Sequence, residues 1–158
     1  MTLLTPDIME WVGRSFDFES DPISLSDARA FIAASGDDNP RYQLPEVGEP
    51  VTVEACVPPV LYYGVTRPFA PSEDLAEDGT VTELRPLIGT GQTMGGSVEM
   101  EWLEPLMLGE QLSGTRTLVS LTEKEGRRRT FVIAEWLTEY RNAEGRLKVR
   151  ERYEQILF

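Results

Sequence analysis

The side chains that most often carry out chemistry are scarce in this sequence. It contains no histidine and a single cysteine, Cys56. A cysteine nucleophile usually depends on a neighbouring histidine, so covalent catalysis through Cys56 is disfavoured. Its setting in Val-Glu-Ala-Cys-Val is more typical of a small apolar packing residue. Without histidine only carboxylates remain as metal ligands, and no EF-hand loop is present. We therefore predict no metal site.

A basic cluster is the first segment that could bind a ligand. Arg127-Arg128-Arg129 follows Gly126 in a stretch with turn chemistry. Arginine side chains there could hold phosphate groups. The alternative is a solvated turn, because Glu123 and Glu125 are close in sequence and runs of charge are usually solvated.

A polar turn is the second such segment. Asp37-Asp38-Asn39-Pro40 directly follows Gly36, and turns of this composition present side chains at the surface. The alternative is that these residues only end a helix.

Glu99 and Glu101 are two residues apart, which places both on one face of a strand and predicts an exposed polar face rather than a catalytic pair.

The first third of the chain predicts two helices and one strand. A short helix is expected over residues 5–13, with proline in its first turn and a closing glycine. Residues 14–19 alternate as a strand. A second helix is expected over residues 24–35, because Ser24 and Asp27 form a capping pattern and Gly36 is a natural stop.

The middle of the chain is punctuated by proline. A short strand is predicted at alternating apolar positions within residues 51–57. The apolar residues 60–65 predict a buried helix with Pro59 in its first turn, and a strand is the alternative for so short a run. The acidic stretch 72–80 predicts a loop.

Four strands are predicted in the second half, over residues 97–103, 110–122, 130–140 and 146–157, with turn chemistry between them. In the last strand Leu147, Val149 and Tyr153 alternate with charged residues that include Lys148, which predicts one buried and one solvated face. The fold class is therefore α+β, with a long antiparallel meander preceded by helices.

Composition sets the class of molecule. A length of 158 residues, 41% hydrophobic and 27% charged, predicts one globular domain over 1–158. A net charge of −12 disfavours nucleic acid and anionic membranes as partners. No apolar run is long enough to cross a bilayer, and the N-terminus lacks the features of a signal peptide. A cytoplasmic location is the resulting expectation.

Two segments in this order of elements carry a family resemblance. They are Gly36-Asp37-Asp38-Asn39-Pro40 and the turn in Met100-Glu-Trp-Leu-Glu-Pro-Leu-Met-Leu-Gly-Glu. Together with Pro58-Pro59 before an apolar helix, they resemble the hot-dog domain of MaoC-like acyl dehydratases and (R)-specific enoyl-thioester hydratases. The resemblance runs from about Trp11 to Leu157. Within this family, the sequence looks more specifically like the N-terminal or partner half of these enzymes. It implies an antiparallel sheet wrapped around a central helix.

The resemblance also implies roles for individual residues. The family motif is Gly-Asp-x-Asn-Pro-x-His, in which the aspartate and histidine hold a water and move protons as it adds across an enoyl thioester. Asp37 matches the family aspartate, whereas Tyr42 stands in place of the histidine. Asp37 as base and Tyr42 as acid are the catalytic candidates that remain. The candidates for substrate binding are Asn39, Pro59, Tyr62, Tyr63 and Arg128, the last through coenzyme A phosphates.

Members of this family often work as pairs in which only one half keeps the Asp/His dyad. The resemblance therefore implies a second hot-dog subunit that carries this dyad, or else a homodimer. The substrate would be an acyl-CoA or carrier-linked acyl thioester, with no separate cofactor. Two alternatives stay open, namely a self-sufficient hydratase or thioesterase that uses Asp37, and a non-enzymatic domain that binds acyl thioesters.

Overall fold

The computed structural model describes residues 2–42, 44–46, 48–50, 55–66, 70–75, 79, 81 and 86–158. Their regular elements are α1 (Pro6–Met9), β1 (Ser15–Glu19), α2 (Leu25–Ser35), a 3-10 helix (Pro59–Leu61) continued by α3 (Tyr62–Val65), a 3-10 helix (Ser72–Asp74), β2 (Thr93–Trp102), β3 (Leu112–Glu125), β4 (Thr130–Asn142) and β5 (Leu147–Leu157).

The strands form one antiparallel sheet in the order β1-β3-β4-β5-β2. The predicted α+β class is confirmed, and β3, β4 and β5 form an antiparallel meander. The expectation that the strand before β3 belongs to this meander is wrong, because β2 pairs with β5 and not with β3. β2 begins four residues earlier than predicted, at Thr93, because the strand continues through Gly95 and Gly96. A shift in register between Gly95 and Val98 accommodates this extension.

The helices follow the local signals that predicted them. The Ser24 side chain caps α2 by accepting a hydrogen bond from the Asp27 backbone N–H at 3.0 Å. Gly36 ends α2 in the left-handed region, with φ of 65°. The first helix is confirmed but spans only Pro6–Met9. The segment after Pro58 is helical, which decides against the strand alternative.

The middle segment is only partly described. Residues 51–54 of the predicted strand lie outside the described residues. Cys56 forms an isolated bridge with Met107, in the connection between β2 and β3. Within the predicted loop 72–80 the structure shows the second 3-10 helix, and Leu75 just after it forms a bridge with Val81.

The prediction of a wholly solvated face for β5 is wrong. Lys148 lies on the face assigned to solvent, yet its side chain is only 5% exposed because carboxylates surround it. On the opposite, inner face, Glu151 and Gln155 are buried among apolar residues. The alternation therefore assigned the residues of β5 correctly to its two faces. It did not predict which polar side chains are buried.

Two apolar clusters make up the core. The helix-side cluster lies beneath α2 and α3 and contains Ile23, Ala28, Ala55, Val57, Leu61, Tyr62, Leu106, Leu108, Leu112, Tyr140 and Val149. The hairpin-side cluster lies beneath the N-terminal residues and contains Ile88, Leu118, Leu121, Val132, Ala134, Trp136 and Leu157.

One glycine on the inner face of the sheet makes room for an aromatic ring. The ring of Phe18, on β1, lies directly over Gly114 on β3, and a Cβ atom at position 114 would fall 2.1 Å from it. The same ring meets Tyr140 edge-on, with 5.8 Å between ring centroids. The glycine therefore allows β1 to pack its side chain against β3.

Candidate functional site

The polar turn after α2 is held by its own side chains. An Asp37 carboxylate oxygen accepts a hydrogen bond from the Asn39 backbone N–H at 3.0 Å. The Asn39 side-chain oxygen accepts from the Arg41 N–H at 3.1 Å, and the Tyr42 N–H donates to the Asn39 carbonyl at 3.0 Å. These local bonds are typical of Asx turns. They fix Asp37, Asn39 and Tyr42, all partly buried, in one short segment.

The Tyr42 phenol is the group in this turn with a shifted pKa. Burial raises the pKa of Tyr42 above 10.0, and electrostatic interactions with Asp37 and Cys56 raise it further. A hydrogen bond from the Asn39 side chain and the charge of Arg41 oppose this shift. Tyr42 is therefore a protonated donor at neutral pH and cannot act there as the base that a histidine supplies.

A buried ion pair fixes the segment that carries Cys56. The Lys148 ammonium lies 3.0 Å from a carboxylate oxygen of Glu110 and 3.5 Å from Glu104. The other Glu110 oxygen accepts from the Met107 N–H at 3.1 Å, and Asn142 donates to Glu110 at 3.2 Å. The connection before β3 is thereby tied to β4 and β5.

This connection in turn positions residues 55–57. The Val57 N–H donates to the Leu106 carbonyl at 3.0 Å, and the Leu108 N–H donates to the Ala55 carbonyl at 2.8 Å. Cys56, which influences the pKa of Tyr42, lies between them. Sequence reasoning singled out the Gly109-Glu110 turn but missed Lys148, because nothing local indicated a buried partner.

A second polar cluster lies on the inner face of the sheet. The Tyr62 hydroxyl, on α3, donates to the carboxylate of Glu151, and the Tyr140 hydroxyl donates to the same oxygen at 3.5 Å. The Tyr62 oxygen also lies 3.2 Å from the Met100 sulfur. Glu151 is only 7% exposed, and within the described part of the chain no ion pair joins it to a cation. Two phenols stabilise this carboxylate instead.

The predicted acyl-channel residues occupy different environments. Tyr62 is fully buried, with its ring edge-on to Tyr140 at 4.8 Å and to Trp102 at 5.3 Å. Tyr63 is exposed at the surface of α3, and Pro59 is partly buried at the start of the 3-10 helix. Glu151 was missed as a member of this group, because it lies 89 residues from Tyr62.

A cavity of about 460 Å³ lies between α2 and the helical segment that ends in α3. Its walls are mainly apolar, with two carboxylates, and are formed by Asp21, Pro22, Asp27, Ala30, Phe31, Leu61, Gly64 and Val65. The volume is in the range of small-molecule sites. The cavity shares α2 with the polar turn, although Asp37, Asn39 and Tyr42 do not line it.

Arg128 is not near the polar turn. It lies exposed in the hairpin between β3 and β4, whereas the bridge from Cys56 to Met107 places the turn near the connection that leads into β3.

The described residues contain no group of three or more potential metal ligands. Among the same residues, no helix is long and apolar enough to cross a membrane.

Comparison with known proteins identifies the family. The profile of the FAS1-like dehydratase domain region matches residues 10–151, and the chain therefore belongs to this family. No curated protein sequence matches it significantly.

Solved structures share the fold at low sequence identity. A chain of the ChsH1-ChsH2 complex from Mycobacterium tuberculosis is 15% identical, with a TM-score of 0.69 over 96% of this chain and 87% of that chain. The (R)-hydratase from A. caviae involved in PHA biosynthesis is 19% identical, with a TM-score of 0.62 and coverages of 93% and 96%. A chain of the C-terminally truncated HadBC (3R-hydroxyacyl-ACP dehydratase) complex from M. tuberculosis is 14% identical, with a TM-score of 0.62 over 92% of this chain and 96% of that chain. The fold is a hot-dog fold, as the resemblance implied.

Proposed function

We propose that this chain is one subunit of an acyl-thioester hydratase or dehydratase, and that a hot-dog partner supplies the Asp/His dyad. The observation that carries the proposal is Tyr42, which occupies the position of the family histidine and has a pKa raised above 10.0. Addition of water to an enoyl thioester needs a base that accepts the water's proton and an acid that protonates the neighbouring carbon. Asp37 and Tyr42 provide a carboxylate and a donor, but no imidazole to alternate between the two roles.

The apolar cavity between α2 and α3 supports a role in binding the acyl group. Its wall includes Phe31, Leu61 and Val65, which suit a hydrocarbon chain, and the carboxylates of Asp21 and Asp27 lie beside them. In this proposal the chain contributes apolar surface and the partner contributes the proton-transfer groups. The thioester would be linked to coenzyme A or to a carrier protein, and no other cofactor takes part.

The outer edge of the sheet supports pairing with a second hot dog. β2 spans ten residues, and among the described residues it has a strand partner only on the β5 side. Met94, Val98 and Trp102 are exposed along it. A long, exposed and partly apolar edge strand is an aggregation hazard unless another strand covers it. Antiparallel pairing of β2 with the partner's equivalent strand would cover this edge. The two-chain complexes ChsH1-ChsH2 and HadBC, which share this fold, support such an arrangement.

The test is hydration of a short trans-2-enoyl-CoA, first by this chain alone and then with a histidine-bearing hot-dog partner. We expect turnover only in the mixture. In that mixture Asp37→Asn should reduce the rate little, and Asp38→Asn, which alters the exposed neighbouring carboxylate, serves as the matched control. Turnover by this chain alone at the rate of the mixture would overturn the division of labour.

A self-sufficient hydratase is the second candidate, because the structure brings Asp37 within electrostatic reach of the Tyr42 phenol. In that case the purified chain would hydrate the enoyl thioester, and Asp37→Asn and Tyr42→Phe would each abolish turnover while Asp38→Asn would not.

A further inference from the structure

The hairpin between β3 and β4 carries a concentration of positive charge on an acidic chain. Lys124, Arg127, Arg128 and Arg129 are all exposed there, although the net charge of the chain is −12. The Gly126 N–H donates to the Arg129 carbonyl at 3.0 Å and closes the turn. The three arginines are thereby presented on one short, well-defined loop.

Of the two carboxylates near this turn, Glu123 is bonded to the N-terminal residues, whereas Glu125 is exposed and forms no ion pair among the described residues. Glu123 accepts hydrogen bonds from the Leu3 backbone N–H and, at 3.0 Å, from the Thr2 hydroxyl, and the Leu3 bond is the main cause of its lowered pKa. Among the described residues, no ion pair joins Arg127 or Arg128 to a carboxylate. Their guanidinium groups are therefore available to an anion.

An aromatic surface lies beside the arginines. The rings of Phe131 and Phe158 are 6.3 Å apart at an interplanar angle of 55°, and both are partly exposed. The Arg129 guanidinium lies 3.8 Å from the centroid of the Phe158 ring. Aromatic faces with adjacent arginines are suited to stacking a nucleobase, and exposed arginines to pairing with its phosphates.

The position of the hairpin separates it from the polar turn of the same chain. β3 contains 14 residues, so at about 3.3 Å per residue its two ends are roughly 40 Å apart. The polar turn lies near one end and the hairpin at the other. Antiparallel pairing of β2 with a partner strand reverses the strand direction in the partner. The hairpin of this chain would then lie at the same end of the paired sheet as the partner's dyad.

We propose that this hairpin binds the adenosine 3′,5′-bisphosphate end of a coenzyme A thioester whose acyl group reacts in the partner's site. Arg127 and Arg128 hold the phosphates, and the adenine stacks on the Phe131 ring, next to Arg129 where it covers Phe158. The inference rests on the paired arrangement of the proposed function. It adds the class of carrier, coenzyme A, and a binding role for the subunit that lacks the histidine.

The test uses the complex with its partner and compares two substrates, an enoyl-CoA and the corresponding enoyl-pantetheine, which lacks the nucleotide. R127A/R128A should raise the KM for enoyl-CoA roughly tenfold, since two exposed charge pairs of up to about 1 kcal/mol each are lost. The KM for enoyl-pantetheine should not change. Arg146→Ala, an exposed arginine in the other hairpin, is the matched control and should affect neither substrate.

A binding measurement separates failure of this inference from failure of the proposed function. Adenosine 3′,5′-bisphosphate should bind the wild-type complex in calorimetry and bind R127A/R128A about tenfold more weakly. Phe131→Ala should also weaken binding. Equal KM changes for both substrates, or unchanged binding in R127A/R128A, would overturn the inference. If neither thioester is turned over, the proposed function fails while the binding result still decides the role of the hairpin.

Discussion

The two core clusters differ in how they treat buried polar groups. In and around the helix-side cluster, Glu151 is bonded by two tyrosines, and Lys148 is paired with Glu110, which Asn142 also contacts. Beside the hairpin-side cluster, the Trp136 indole N–H and the Gln155 side-chain oxygen are buried with no hydrogen-bond partner among the described residues. One end of the sheet is organised by directional bonds, whereas the other is organised by apolar packing.

The buried polar groups that form hydrogen bonds and ion pairs are those near the cavity and the polar turn. Hydrogen bonds and buried ion pairs specify geometry, whereas apolar contacts are non-directional. The bonded groups fix α3 and the connection before β3, and these elements border the cavity and the polar turn. The hairpin-side cluster contributes no residue to the wall of that cavity, and tight packing of large side chains is sufficient there.

The largest expected effect is in the hairpin-side cluster. Trp136→Ala should lower the free energy of unfolding by about 3–5 kcal/mol, because it leaves a cavity where a fully buried indole packed. Trp136→Phe should cost clearly less, because the lost N–H had no partner. Urea denaturation measures both, and equal costs would show that the indole N–H is satisfied after all.

Breaking the ion pair should have the next largest effect. Lys148→Met leaves the Glu110 carboxylate largely buried beside an apolar side chain and should cost about 3 kcal/mol. The double variant with Glu110→Gln should cost less than the sum of the two single changes, as measured by a double-mutant cycle. Additive costs would contradict the pairing.

The bond from α3 to the sheet gives a smaller expected effect. Tyr62→Phe removes one of the two phenol donors of Glu151 and should cost about 1–3 kcal/mol. Tyr153→Phe is the matched control, because Tyr153 is also on the inner face of β5 but shows no side-chain hydrogen bond among the described residues. A cost for Tyr153→Phe equal to that for Tyr62→Phe would remove the distinction between the two clusters.

The smallest expected effect concerns the pH dependence of stability. The pKa of Tyr42 is raised in the folded state, so its contribution is fully present below its ordinary value of 10.0 and is lost as pH rises through the raised value. Tyr42→Phe should therefore show a shallower loss of stability above pH 10.0 than the unchanged chain. Tyrosinate absorbance against pH provides the direct measurement, and titration of Tyr42 below its ordinary value would contradict the burial argument.

Much of this fold could be predicted because its signals are local. The capping pair Ser24 and Asp27, the stop at Gly36 and the alternation in four strands each act over a few residues. The bonds within the turn from Asp37 to Tyr42 are also local. The bonds between Tyr62 and Glu151 and between Lys148 and Glu110 join distant segments. Long-range pairing decides which charged side chains are buried, and alternation along one strand contains no information about it.

The Phe18 ring over Gly114 affects how far this molecule can assemble. β1 pairs with residues 113–117 of β3, and in the part of the chain that the structure describes β2 is the long edge strand on the other side of the sheet. A side chain at position 114 would collide with the ring and push β1 away. The sheet would then have two long free edges, and edge-to-edge contacts could repeat from molecule to molecule as an open filament. If two chains pair through β2 as proposed, the bare glycine at position 114 therefore keeps β1 in place on the opposite edge.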